Sequence, residues 1–370
     1  MGLVRSFDRF TTKLNEFLRC SLVSYSEHKN IKRKQALINK VSLTKDEEKQ
    51  IKEFFEKHYG KTIRTSWHRL YQSYTGNFHK DYFPEILFST KLEPMMNPYH
   101  EAEFLDDKNW LNSLFYGIEG LHIPKTYGAC VRGTCYIEGE GVLSKNEFFE
   151  KLKNVGICVI KKTVDTSSGR DVEICNISGG NDTVSGQSLE DIVKTFGDNY
   201  VVQERITQAP QIAKLNSTSF NTFRVMSYIY DGQIYVCPIA LRLGRNNAAK
   251  DNIHYGGICV GVKTDGTLQK EAYSEYGEAH TEHPDSHVVF SGYSVFPDGT
   301  KNLEEMAKKL HSRVLHFGIL SWDLGIDDEG NVVLIEMNSY GQSAWFCQMV
   351  NGEPLFGENT GGILEMIRKG

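Results

Sequence analysis

The stretch that most constrains this chain is 321–340, SWDLGIDDEGNVVLIEMNSY. Two apolar segments flank Asp327, Asp328, Glu329 and Gly330, which have turn chemistry, so the stretch predicts a β-hairpin. The second arm, 332–337, is rich in Val, Leu and Ile and runs into Glu336 and Asn338. These two lie two residues apart and share a strand face. Asp323 occupies the other arm. With a four-residue loop at 328–331, Asp323 faces Glu336, and opposed neighbours stand ~5 Å apart at Cβ. Two carboxylates that close repel unless a cation lies between them. Hard oxygen ligands at this spacing suit Mg²⁺, which keeps several waters and takes phosphate oxygens as further ligands. A hairpin whose ends are merely polar is the alternative that the stretch alone leaves open.

Composition sets the outer bounds. A chain of 370 residues can bury a sizeable core and form one to three domains. With 40% hydrophobic and 24% charged residues it reads as a soluble globular protein and not as wholesale disorder. A net charge of −5 argues against a general nucleic-acid binder. The eight cysteines form no CxxC and no zinc-ligand spacing, so they read as small core residues of a reducing, cytoplasmic protein. No apolar run is long enough for a transmembrane segment. Asp8 and Glu16 interrupt the N-terminus, which is not expected to be a signal peptide. The opening MGLVRS formally fits a myristoylation pattern, which is set aside as too short to carry weight.

Along the chain, residues 1–60 read as helical. Phe7, Phe10, Leu14, Phe17 and Leu18 give 5–22 an amphipathic spacing. Residues 28–40 are basic, and a solvated helix face explains them better than an anion site. Thr44 and Glu47 form a capping box for a helix over 43–59, with Gly60 as its stop. The aromatics of 61–125 suggest packing against a larger body. Within them, DDKNW at 106–110 opens a helix and offers Lys108. From about 123 short strands take over, at 123–127 and 134–137, with a helix over 145–153. The strand GICVIKK at 156–162 ends in two lysines and meets the small polar loop TVDTSSGRDV at 163–172. Such a loop can supply N–H groups and hydroxyls to a phosphate, and the lysine a point charge. An ordinary hairpin loop is the alternative there. A strand at 200–206 runs into polar residues. Arg224 lies among apolar neighbours in 220–230, where an arginine is costly unless paired or facing an anion. A partner strand over 232–245 carries Arg242 and Arg245, and a loop with Asp251 and Asn252 follows. His283 reads as a core or surface residue. A helix is expected over 303–317 and a short one over 362–368.

The order of these parts resembles the ATP-grasp superfamily: a strand-terminal lysine, a small-residue loop, a strand into a polar hinge, an arginine-bearing strand and an acidic hairpin ending E-x-N. The match is closer to the sugar-transfer-associated, TupA-like branch. It is carried by DDKNW, VIKKTVDTSSGRDV, VVQERI, NSTSFNTFRV, ALRLGRNNAAKDNIHYGGICVGV, the HPD at 283–285 and WDLGIDDEGNVVLIEMN, over roughly residues 100–340.

The resemblance implies an α+β fold in which two lobes grip ATP. It suggests a helical N-terminal region at 1–120, a small lobe at 121–205 and a large lobe at 206–370. Lys161, preferred to Lys162, would contact ATP phosphates, with Thr166, Ser167, Ser168 and Gly169 looping over them. Gln203, Glu204 and Ile206 would line the nucleotide pocket. Arg224 would steady the γ-phosphate or an acyl-phosphate and heads a catalytic set with Arg242 and Asn252. The last two, with Lys108, Asp251 and Arg245, are also expected to recognise substrate. Asp323, Glu336 and Asn338 would hold Mg²⁺. The activity implied is an ADP-forming ligation of a carboxylate to an amine through an acyl-phosphate, joining an amino acid or amine to a uronic or amino sugar in bacterial surface-polysaccharide biosynthesis. Polysaccharide-assembly enzymes are the partners it suggests, and nucleic acid is not among them. A small-molecule kinase on the same scaffold, or a nucleotide-binding module without catalysis, is the alternative.

Overall fold

The computed structural model describes residues 2–99, 107–164, 172–248 and 251–369. Two sheets organise them. The smaller has seven strands in the order β4-β3-β2-β8-β5-β6-β7. These are β2 (Thr126–Val131), β3 (Thr134–Ile137), β4 (Gly141–Leu143), β5 (Gly156–Lys162), β6 (Val172–Ser178), β7 (Asn181–Asp182) and β8 (Tyr200–Glu204). One face packs Cys130, Cys158, Ile160 and Val202 against helices Lys145–Leu152 and Leu189–Lys194. The first of these helices starts at Ser144, whose hydroxyl accepts from Glu147 N while the Glu147 carboxylate accepts from Ser144 N. That reciprocal pairing satisfies two donors the helix start leaves open.

The larger sheet holds β1 (Leu121–His122), β9 (Phe223–Tyr230), β10 (Gln233–Val236), β11 (Ile239–Leu243), β12 (Ile258–Val262), β13 (Leu268–Tyr273), β14 (Ala279–His280), β15 (Ile319–Ile326) and β16 (Val332–Asn338). Its order is β1-β16-β15-β9-β11-β12-β13-β14, with β10 also on β9. The strand expected over 123–127 is displaced. Pro124 has no N–H to give a ladder, so β1 ends at His122 in the large sheet and β2 begins at Thr126 in the small one. Pro238 likewise splits the expected strand over 232–245 into β10 and β11.

Each face of the large sheet has its own core, because side chains alternate along a strand. Val225, Leu241, Val260, Trp322 and Leu324 pack with Leu303, Met306 and Leu310 of helix Lys301–His311. Met226, Ala240, Cys259 and Ile319 face the N-terminal helices and helix Trp345–Asn351. Helix Lys301–His311 stops short of the expected residue 317. The buried His311 ring bonds Ser227 Oγ at 2.7 Å and Phe317 O at 2.8 Å, drawing 312–317 into turns. The Thr44–Glu47 capping box forms, and helix Lys45–His58 follows it. The N-terminal helix is one piece, Gly2–Arg33. All eight cysteines are free thiols, and no helix among the described residues is long and apolar enough to cross a membrane.

Candidate functional site

The hairpin forms with Asp323 directly opposite Glu336 and Ser321 opposite Asn338. Asp327 shapes the turn: its Oδ1 accepts from Glu329 N at 3.1 Å and Asn331 N at 2.7 Å. Gly330 takes φ +88, a conformation that costs glycine little. On the far side of β15, Asp323 pairs with Arg224 of β9. Glu336, Asp323 and Arg224 therefore form one row across three strands on a single face, and Arg242 of β11 reaches the same carboxylate.

Arg224 Nε donates to Asp323 Oδ1 at 2.8 Å, and an Arg242 guanidinium N–H donates to Oδ2 at 2.8 Å. All three residues are buried. Burial alone would raise the Asp323 pKa, but Arg224 and then Arg242 outweigh it and hold the carboxyl below the usual range. Burial works against the charge of Arg242 too, and Asp323 and Asp251 overcome it. Asp251 Oδ2 takes the backbone N–H of Thr222 at 2.9 Å and lies 3.6 Å from Arg242 Nε. Asp323 and Glu336 also meet cations of the protein itself. Beside the two arginines on Asp323, Lys108 Nζ stands 2.9 Å from Glu336 Oε1. Both Asp323 oxygens accept from guanidinium groups.

Among the described residues no group of three or more His, Cys, Asp or Glu side chains is suited to a metal ion. Glu336 and Asn338 nevertheless share the row face. Glu336 is partly exposed, and Asn338 Nδ2 is buried with no hydrogen-bond partner among the described residues. One carboxylate and one amide oxygen fit a magnesium ion that brings phosphate and water ligands of its own. The unpaired amide end also fits a site whose partner is a ligand, since the amide's N and O ends can exchange by a flip.

The small sheet meets this row through Lys108 and Lys161. Lys108 N donates to Thr163 O at 3.2 Å, just past β5, while its side chain crosses to Glu336 on β16. Ile160 points into the small lobe's core, so Lys161 points the other way. Burial, then the charge of Lys108, pulls the Lys161 pKa down to about 8 against the pull of Glu336. Lys162 shares the face of Ile160. Gln203, on the same face as Lys161, donates to Thr126 Oγ1 at 3.1 Å. Ile157 and Ile174 leave apolar surface exposed on that face.

Other expected residues have structural partners. Glu204 Oε2 accepts from Lys125 N at 3.0 Å and contacts His122 Nε2 at 3.2 Å. Ile206 lies two residues beyond the end of β8, partly buried. Asn252 caps the turn Ile253–Tyr255 by accepting from His254 N at 2.8 Å. Arg245 donates to Gly256 O at 2.5 Å and Glu278 Oε2 at 2.7 Å, away from the Asp323 row. His283 sits in the core: Nε2 meets Gly244 O at 2.8 Å and Nδ1 accepts from Asp285 N at 3.3 Å. Thr166, Ser167, Ser168 and Gly169 lie outside the described residues.

Two features escaped the sequence reading. His122 bridges the sheets, with Nδ1 2.8 Å from Asp327 Oδ2 and Nε2 on Glu204. Burial opposes its charge, but Asp327 and Glu204 prevail and raise its pKa. Glu93 and Glu85, both buried, pin the chain just after β16: Glu93 Oε1 accepts from Gln342 N at 3.0 Å and Glu85 Oε1 from Ala344 N at 3.1 Å. Gln342 O in turn accepts from the Arg224 guanidinium at 2.7 Å. Sequence spacing carries no signal for contacts this distant.

No curated protein matches the chain. Among solved structures, it is similar to a D-Ala:D-Ser ligase from Enterococcus faecalis, at 11% identity and TM-score 0.40 over 75% of this chain and 62% of that one. It is also similar to D-alanyl-alanine synthetase A from Vibrio cholerae, at 13% identity and TM-score 0.38 over 74% and 66%. A third is the N5-carboxyaminoimidazole synthase from Aspergillus clavatus, solved with ADP and 5-aminoimidazole ribonucleotide, at 9% identity and TM-score 0.35 over 66% of this chain. The chain spans 47% of that synthase's length. The model of the sugar-transfer associated ATP-grasp family matches residues 87–362. That match covers both sheets and the Asp323 row, and the chain belongs to the sugar-transfer associated ATP-grasp family.

Proposed function

We propose that the chain is an ATP- and magnesium-dependent ligase that activates a substrate carboxylate as an acyl-phosphate and passes it to an amine. The observation that carries this reading is the meeting of Lys161, Lys108 and Glu336 where the two sheets approach. A lysine with a lowered pKa beside a carboxylate row suits phosphate handling, in which positioning and charge neutralisation do most of the work. Lys161 would hold phosphate oxygens. The apolar face around Ile157 and Ile174, with Gln203, would receive the base. Glu336 and Asn338 would hold the magnesium ion, which neutralises phosphate charge when bound. Arg224, fixed by Asp323 and by Gln342 O, would point its remaining N–H groups at charge developing on the transferred phosphoryl group. Lys108 would trade Glu336 for an anionic substrate group. Asp323 and Asp251 would set the two arginines and not bind metal themselves.

The family's sugar-transfer association supports a saccharide-linked carboxylate or amine as substrate. Incubation with Mg·ATP and pooled sugar acids and amino acids, read by ADP release and product mass, tests the reaction class. The reading expects ADP release that needs both a carboxylate and an amine, with an amide as product. A phosphorylated sugar formed without any amine would make the chain a kinase instead.

A further inference from the structure

Exposed large apolar side chains are scattered over most of this molecule, but one helix gathers six. On the N-terminal helix Gly2–Arg33, Phe7 is 66% exposed, Leu14 45%, Phe17 68%, Leu18 50%, Leu22 69% and Tyr25 70%. Positions 7, 14, 18, 22 and 25 follow the three-, four- and seven-residue spacing of a single helix face, with Phe17 flanking it. The opposite side is the one that packs. Arg19 lies 3.0 Å from the centre of the Tyr99 ring, and Cys20 Sγ meets Thr90 O at 3.7 Å. The outward line is therefore a face that the described residues leave uncovered.

The line continues past Tyr25 into Lys29 and Lys32, with Arg33 beside them, all exposed. The described acidic side chains of this helix, Glu16 and Glu27, fall on the other side by helical spacing. This basic line opposes the net charge of −5 carried by the whole chain. An apolar stripe that ends in long cationic side chains matches the interface of an anionic bilayer. The rings and leucines enter the acyl boundary while the lysine stems reach back to phosphate headgroups. Self-pairing of two copies through the stripe is the poorer match, because Lys29 and Lys32 find no acidic residue in the line to meet them.

We propose that the N-terminal helix docks the protein on the surface of an anionic lipid bilayer, lying in the interface along the line from Phe7 to Lys32. No described helix is long and apolar enough to cross a membrane, so the helix would lie on the bilayer and not span it. The proposal does not depend on the reaction assigned above.

Co-sedimentation of the full chain with vesicles tests it. The vesicles are phosphatidylcholine alone, or phosphatidylcholine with roughly one-third phosphatidylglycerol. Binding to the anionic vesicles at least ~10-fold tighter than to the neutral ones is expected. Leu18→Glu with Leu22→Glu should lose binding about 10-fold, and Lys29→Glu with Lys32→Glu should lose the anionic preference. Far-UV circular dichroism should be unchanged in at least the lysine variant, which keeps the test open if the leucine variant misfolds. Absence of anionic-vesicle binding, or equal binding by the wild type and the lysine variant, would overturn the proposal. So would a dimer in light scattering without lipid that Leu18→Glu with Leu22→Glu dissolves, since the face would then belong to a second copy.

Discussion

Arg224 Nε donates to Asp323 Oδ1 at 2.8 Å across neighbouring strands, and Arg242 completes the pairing from the other side of the carboxylate. Two buried guanidinium groups thus share one buried carboxylate, with Asp251 as a second partner for Arg242. Removing one partner of such a set leaves uncompensated charge in a low-dielectric interior. Asp323→Asn should destabilise the protein by about 3–5 kcal/mol in urea unfolding. The arginines hold this carboxyl below its ordinary range, so its stabilisation is present above the unfolded pKa and is lost as pH falls through the lowered folded value. Wild-type stability should drop more steeply in acid than that of Asp323→Asn. Equal acid sensitivity would remove the coupling.

Glu93 behaves in the opposite sense. Burial pushes its pKa up to about 7, partly offset by the N–H groups of Gln342 and Gly341. The folded state then binds its proton more tightly than the unfolded chain does. Stability should fall as pH rises from the ordinary carboxylate range to about 7 and level off above it. The full effect is up to roughly 3 kcal/mol. Glu93→Gln should flatten this part of the urea-midpoint profile. A profile with unchanged slope would mean that the decline arises elsewhere, for instance at Glu85, which burial also shifts upward.

Lys161 and Lys162 separate by strand alternation, since Ile160 fills the small-lobe core and Lys161 faces away from it. Lys161→Ala should raise the KM for ATP by about tenfold or more, and Lys162→Ala far less. With a pKa near 8, Lys161 loses its proton as pH rises, so kcat/KM for ATP should decline above about pH 8. The reverse order of the two variants would reassign the phosphate contact.

Lys108 pairs with the Glu336 carboxylate that the proposed function gives to magnesium, so the two would compete for it. In Lys108→Met that carboxylate loses its protein cation, so half-maximal ATP turnover should need several-fold less Mg²⁺, while kcat falls if Lys108 also meets substrate. An unchanged Mg²⁺ requirement would separate Glu336 from the metal.

Much of this architecture is legible in the sequence because it rests on local rules. The strands 134–137, 156–162 and 258–262 announce themselves by apolar runs between turn residues, and the structure has β3, β5 and β12 there. The expected Asp323–Glu336 pairing forms, but not through a four-residue loop: Ile326 opposes Val332 across a five-residue turn, and a register shift between Asp323 and Leu324 then brings Asp323 opposite Glu336. What the sequence hides is long-range. Nothing in the residues around 224 or 242 says that both arginines converge on Asp323, because that depends on strand order β15-β9-β11. Glu93 and His122 act across similarly large separations. For Asn252 and Arg245 the local loop explains the contacts seen, with the cap at His254 N and the bond to Gly256 O.

The central claim is that the Glu336–Asn338 end of the hairpin meets the phosphates of magnesium-bound ATP. Calorimetric titration of Mg·ATP into the wild type and into Glu336→Gln tests it most directly, with circular dichroism to confirm that the variant folds. The account predicts at least ~10-fold weaker binding for Glu336→Gln and turnover lower by orders of magnitude. Equal affinity and near-wild-type turnover in a folded variant would contradict it.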